Sequence, residues 1–205
     1  IVDRADDSAQ LSADEFDGHV ATVIGVSYGG HIALALAAQH PDGLARLVCA
    51  GSGYAADGPS NAADVTYARL LVEGRTSEAI ALHFGQVYPQ TRRWGIARVF
   101  GAAFAPFFLR RAHPYFASDT LVEAEAQMAF DARAMLPDIL IPVLVVGGGS
   151  DQFFARDVTE ETARLIPDCS LRIYDDKDHL GALTDKRLSR DILDFVEQHA
   201  VVAPA

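Results

Sequence analysis

Basic residues and cysteines are both scarce in this chain. Only 17 Lys and Arg stand against 28 Asp and Glu in 205 residues, a formal charge of -11. That balance argues against non-specific nucleic-acid binding, which relies on clustered Lys and Arg to neutralise phosphates. Two cysteines, Cys49 and Cys169, are too few for a disulfide framework and lie far from any metal-ligand spacing. No other metal or cofactor motif is present. Long apolar runs are missing as well. The longest, Trp94 to Leu109, is broken by Arg98 and Pro106, and its 16 residues fall short of the ~20 needed to span a bilayer. Asp3, Arg4, Asp6 and Asp7 interrupt the start, so no export-signal pattern is read there and a cytoplasmic location is expected. Glutamate is thin too, at 8 residues against 20 aspartates, a bias that suits turns and caps better than helix interiors. The chain begins at Ile1 without an initiator methionine, and no internal repeat or low-complexity tract is visible.

What is present is a core-forming composition, 50% hydrophobic, with alternating strand and helix signals. Val20–Gly25 reads as a strand, and Tyr28–His40 as a helix apolar on most sides, of the kind buried against a sheet. Pro41 and Asp42-Gly43 stop it, and Leu44–Ala50 is a second strand followed by a flexible Gly51-Ser52-Gly53. Val143–Val146, opened by Pro142 and ended by Gly147-Gly148-Gly149, is a continuous apolar run that fits a strand covered on both faces. Arg156–Ile166 follows as an amphipathic helix and Leu171–Tyr174 as a fourth strand. Lys186–His199 closes the chain as a helix with Leu188, Ile192, Leu193, Phe195 and Val196 inward. This alternation predicts a doubly wound, mostly parallel α/β sheet. Residues 55–120 hold most of the aromatics and are too long for a loop, so several short helices forming a cap are expected there. Leu121–Leu136 then reads as one helix returning to the sheet, giving a core of 1–54 and 121–205 around the insertion.

The most informative residues are Gly25-Val26-Ser27-Tyr28-Gly29-Gly30, directly after a strand and before a helix. A serine at such a turn adopts a strained backbone that only small neighbours accommodate, a role read for Gly25 and Gly29. The turn exposes the hydroxyl and puts the amide of Tyr28 at a helix N-terminus, where it can donate to a developing oxyanion. A serine hydroxyl needs a base to take its proton and an acid to orient that base. Asp151 follows the third strand and His179 the fourth, both at strand ends where sites gather in such sheets, in the order Ser, Asp, His. The plainer alternatives are that Asp151 caps the helix near Arg156 and that His179 is a solvated loop residue. Asp176 and Asp178 are further candidates for the orienting acid. His31, one helical turn past Ser27, edges a pocket on one reading and is simply packed or solvated on the ordinary one.

GVSYGG at 25–30, PVLVVGGGSD at 142–151 and DDKDHLGAL at 175–183 resemble an α/β-hydrolase over nearly the whole chain. The resemblance implies Ser27 as nucleophile, His179 as general base and then acid, and Asp151 as orienting carboxylate. Haloalkane dehalogenases and epoxide hydrolases of this fold place Asp where Ser27 stands, so the serine implies acyl transfer. The expected substrate is a small, largely apolar carboxylic ester or related acyl compound, with no cofactor. A cofactor-free perhydrolase or acyltransferase, a hydrolase-like ligand-binding protein and an inactive fragment are the alternatives. Trp94 and Arg92, Arg93, Arg98, Arg110 and Arg111 are expected on a cap helix with its arginines in water. Only 26 residues precede Ser27, whereas the family places further strands and a second oxyanion donor upstream. The expectation is therefore the C-terminal half of the sheet, from a hydrolase of roughly 260–290 residues, with the serine strand at an edge. Composition and motifs leave the oligomeric state open.

Overall fold

Four short apolar runs pair into one parallel sheet in the computed structural model, which describes residues 1–58, 60–87, 99, 103 and 115–200. Strands β1 (Val23–Val26), β2 (Leu47–Ala50), β3 (Val143–Gly148) and β4 (Cys169–Tyr174) lie in chain order across the sheet. Val23 pairs with Leu47, Leu47 with Val143 and Val143 with Cys169. The central strands are buried throughout, as unbroken apolar sequence requires when both faces are covered. Successive side chains point to opposite faces. Leu47, Cys49, Val143 and Val145 therefore join one core cluster, while Val48, Ala50, Leu144 and Val146 join another.

The first face is covered by helices α1 (Val2–Phe16) and α2 (Tyr28–Gln39) together with the helix Arg156–Leu165. The second is covered by the short helix His179–Leu183 and the closing helix Lys186–Gln198. Within the closing helix, Leu188, Ile192, Phe195 and Val196 form the inward stripe. Leu193, expected inward, is 60% exposed. It stands five residues from Leu188, roughly 140° around the helix at ~100° per residue.

Two compact units result, Ile1–Asp57 with Phe130–Ala205 and Gly58–Ala129. In the second, α3 (Asn61–Val72) packs on both α4 (Thr76–Val87) and α5 (Phe116–Ala129), with Ala68, Leu71, Ala79 and Ala124 buried. The helix read over 121–136 is thus α5, and it ends at Ala129. Past it, the Asp131 carboxylate accepts from the Arg133 amide at 2.8 Å, a local turn that competes with helix continuation. Residues 136–138 form a separate single-turn helix. Asp131 also bridges to Ala55, so the two segments leading out of the first unit run side by side. The remaining helices are α6 (Arg156–Leu165), α7 (His179–Leu183) and α8 (Lys186–Gln198). The arginines and Trp94 of the expected cap helix lie outside the described residues.

Candidate active site

The turn between β1 and α2 carries Ser27 at φ 52 and ψ -122, in the left-handed half of backbone space that L-residues rarely occupy. Two hydrogen bonds and the start of a helix hold it there. The Ser27 amide donates to the Ala50 carbonyl at 2.9 Å, its carbonyl accepts from the Gly30 amide at 2.8 Å, and α2 begins at the next residue. A Cβ on Gly25 would stand 2.6 Å from both the Ala33 methyl and the Gly29 carbonyl oxygen. Gly30 is pressed against the Ser52 side chain, whereas nothing lies within 4 Å of a Cβ at Gly29. The steric requirement therefore falls on Gly25 and Gly30, not on the expected Gly25 and Gly29. Tyr28 opens α2, so its amide is at the helix N-terminus as expected.

Glycines also bring the other two side chains together. A Cβ at Gly148 would meet the Lys177 and Asp178 carbonyl oxygens at 2.6 and 2.8 Å, and one at Gly149 would meet Asp175 backbone at 2.7 Å. Without those side chains the β3–α6 and β4–α7 loops lie backbone to backbone. The Gly149 amide donates to the Tyr174 carbonyl at 2.9 Å and the Ser150 amide to Lys177 at 3.0 Å. Asp151 and His179 leave these adjoining loops as neighbours.

The Asp151 carboxylate is shared. Its Oδ1 accepts from the amides of Phe153 and Phe154 at 2.8 and 3.0 Å, and its Oδ2 lies 2.7 Å from His179 Nδ1. His179 Nε2 lies 3.1 Å from Ser27 Oγ. A carboxylate only accepts, so Nδ1 carries the imidazole proton and Nε2 is left to accept from the serine hydroxyl. The pair is shielded from water, at 7% side-chain exposure for His179 and 1% for Asp151. Helix α6 begins after Ala155 without a side-chain cap, so Asp151 does not serve that purpose.

The rival acids have other partners. Asp178 caps α7 by accepting from the Gly181 amide at 2.8 Å. Asp176 accepts hydrogen bonds from Arg187 and then Lys177, which hold its carboxyl below the usual range. Asp175 pairs with Arg156. Asp185, the cap of α8, is also held well below the usual carboxylate range by Arg187. Burial pushes the Cys49 and Cys169 thiols up to about 12, so neither offers a thiolate nucleophile. Among the described residues, no cluster of three or more His, Cys, Asp or Glu is arranged to hold a metal ion. Among the described residues, no helix is long and apolar enough to cross a membrane.

Three supporting residues escaped sequence reading. Phe153 and Phe154 set their rings against the His179 imidazole, with centroids at 4.9 and 5.9 Å. Gly51, read as flexible, is buried at φ +56, and a Cβ there would stand 3.2 Å from His179 Cε1. A glycine after a buried strand was the one available signal for it. The phenylalanines follow an aspartate in a loop and carry no pattern of their own.

The alpha/beta hydrolase family model matches residues 2–190 of this chain. A pimeloyl-(acyl-carrier protein) methyl ester esterase of Aromatoleum aromaticum is 30% identical over 176 residues, covering 80% of this chain and 68% of that protein. Among solved structures, an alpha/beta hydrolase enzyme from a Medee basin deep-sea metagenome library has a TM-score of 0.79 at 17% identity, over 98% of this chain and 73% of that one. An esterase of Exiguobacterium antarcticum has a TM-score of 0.71 at 20% identity, over 94% and 72% of the two chains. At such identities the structural likeness speaks for the fold alone. With the family model matched over nearly its whole length and a parallel α/β sheet carrying the serine turn, the chain belongs to the alpha/beta hydrolase family.

Proposed function

We propose that this chain is a serine hydrolase that cleaves a small, largely apolar carboxylic ester or related acyl compound through an acyl-enzyme. One observation carries the reading: the unbroken chain of contacts from Ser27 Oγ through His179 to Asp151, at 3.1 and 2.7 Å. Ser27 Oγ attacks the acyl carbon while His179 Nε2 takes its proton. Asp151 holds the imidazole by Nδ1 and stabilises the imidazolium that forms. The Tyr28 amide donates to the oxyanion. His179 then returns the proton to the departing alkoxide, and water, deprotonated by the same nitrogen, releases the acid. The methyl ester esterase among the relatives supports an ester as the substrate class. The unit Gly58–Ala129 falls in the sequence where the variable cap insertion is expected.

Treatment with a fluorophosphonate probe tests this. Wild type is expected to label and to hydrolyse short-chain nitrophenyl esters. Ser27→Ala removes both, and His179→Ala lowers both by on the order of 10³-fold or more. Labelling that survives Ser27→Ala would refute the nucleophile, and a folded protein that never labels would favour a ligand-binding role.

A further inference from the structure

His31 sits one turn into α2, wholly buried, and neither ring nitrogen makes a hydrogen bond of ordinary geometry. A weak interaction with the Gly53 backbone opposes, without cancelling, the effect of burial on its charge. A buried polar group left unpaired costs stability, so its neighbours are informative. They are aromatic. The Phe130 ring lies 5.0 Å from His31, and the Phe154 ring meets it edge-on at 5.3 Å and 77°. Phe154 in turn stacks on His179 at 25°.

We propose that His31 is a positioning residue for the candidate base: its ring backs Phe154, and Phe154 fixes the tilt of the His179 imidazole. This rests on the role assigned to His179 above. The two polar contacts of His179 run through Nδ1 and Nε2. They fix a line through the ring and restrain rotation about that line only weakly. A tilted contact with Phe153 and a stacked one with Phe154 supply the missing constraint. The constraint is closed on itself. His31 belongs to the helix that Ser27 opens, and Phe154 belongs to the turn that Asp151 organises through Oδ1. The serine turn and the aspartate turn are thus joined a second time, through rings, independently of the hydrogen-bonded chain.

The test compares His31→Leu, His31→Phe, Phe154→Leu and the double variant His31→Leu with Phe154→Leu. If the ring of residue 31 backs Phe154, His31→Leu lowers kcat by on the order of 10- to 100-fold with KM nearly unchanged, as a misplaced group does. His31→Phe restores most of it, and the double variant is no worse than Phe154→Leu. Imidazole NMR reads the same effect without turnover. The downfield proton shared by His179 and Asp151 broadens or shifts in His31→Leu and stays in place in His31→Phe. An unchanged kcat and proton signal in His31→Leu would overturn the proposal. So would additivity of the two leucine changes, or a folded His31→Phe as impaired as His31→Leu. If wild type proves inactive, the hydrolase reading fails while the NMR comparison still decides the positioning role.

Discussion

Burial leaves a titratable signature on His31 that stability measurements can read. Its ring stays neutral in the folded chain down to about 4, whereas an unfolded histidine takes up its proton near ~6.5. Between those values the unfolded state binds more protons, so stability falls as the pH falls through that window. Integrated over the window, the loss approaches about 3 kcal/mol at ~1.4 kcal/mol per pH unit. Urea unfolding of wild type and His31→Phe, at about pH 7 and about pH 4.5, is expected to shift their difference by about 2–3 kcal/mol toward the variant. A difference independent of pH would contradict neutral burial. Ser27 makes the complementary case of local sequence dictating local geometry. Its turn needs a positive φ and small neighbours, and the glycines on either side announce both.

At the scale of elements, the glycine-rich end of β3 decides how closely two loops approach. A methyl group at Gly148 would meet backbone oxygen of Lys177 and Asp178, and backbone cannot swing aside as a side chain does. Gly148→Ala is expected to separate Asp151 from His179. Activity on an ester should fall by on the order of 10²-fold in kcat, and stability by about 1–3 kcal/mol as in other overpacked sites. Steady-state kinetics beside thermal unfolding would check both, and full activity at an unaltered midpoint would show that the loops yield. Helix α8 marks where pattern reading reached its limit. Its stripe was legible from Leu188, Ile192, Phe195 and Val196, yet the apolar Leu193 faces water. Angle around the helix, not hydrophobicity, decided its side.

At the scale of the whole molecule, β1 is the outermost strand of the sheet among the described residues, with Ile24 51% and Val26 45% exposed. The amides of Val23 and Ser27 bond to the β2 side, and parallel pairing alternates, so the backbone groups of Ile24 and Val26 face the open edge. Leu11, Phe16 and Ile24 border an apolar groove of about 310 Å³ beside it. Exposed apolar edges pair with other chains. Ile24→Lys is therefore expected to reduce concentration-dependent light scattering, and equal scattering would mean that this edge is not the sticky surface. Much of this architecture was legible in advance, because continuous apolar runs ending in glycine identify buried parallel strands and the residues at their ends. The sequence by itself determined that Ser27, Asp151 and His179 stand at strand ends, since strand, turn and helix signals are local. Only the tertiary structure decided which acid lies against the histidine. Three aspartates, Asp175, Asp176 and Asp178, lie close to it in sequence, and Arg156, Arg187 and the α7 cap engage them. Asp151, 28 residues away, reaches His179 because the parallel register of β3 and β4 brings their ends level. Such a contact depends on crossovers that no local pattern encodes.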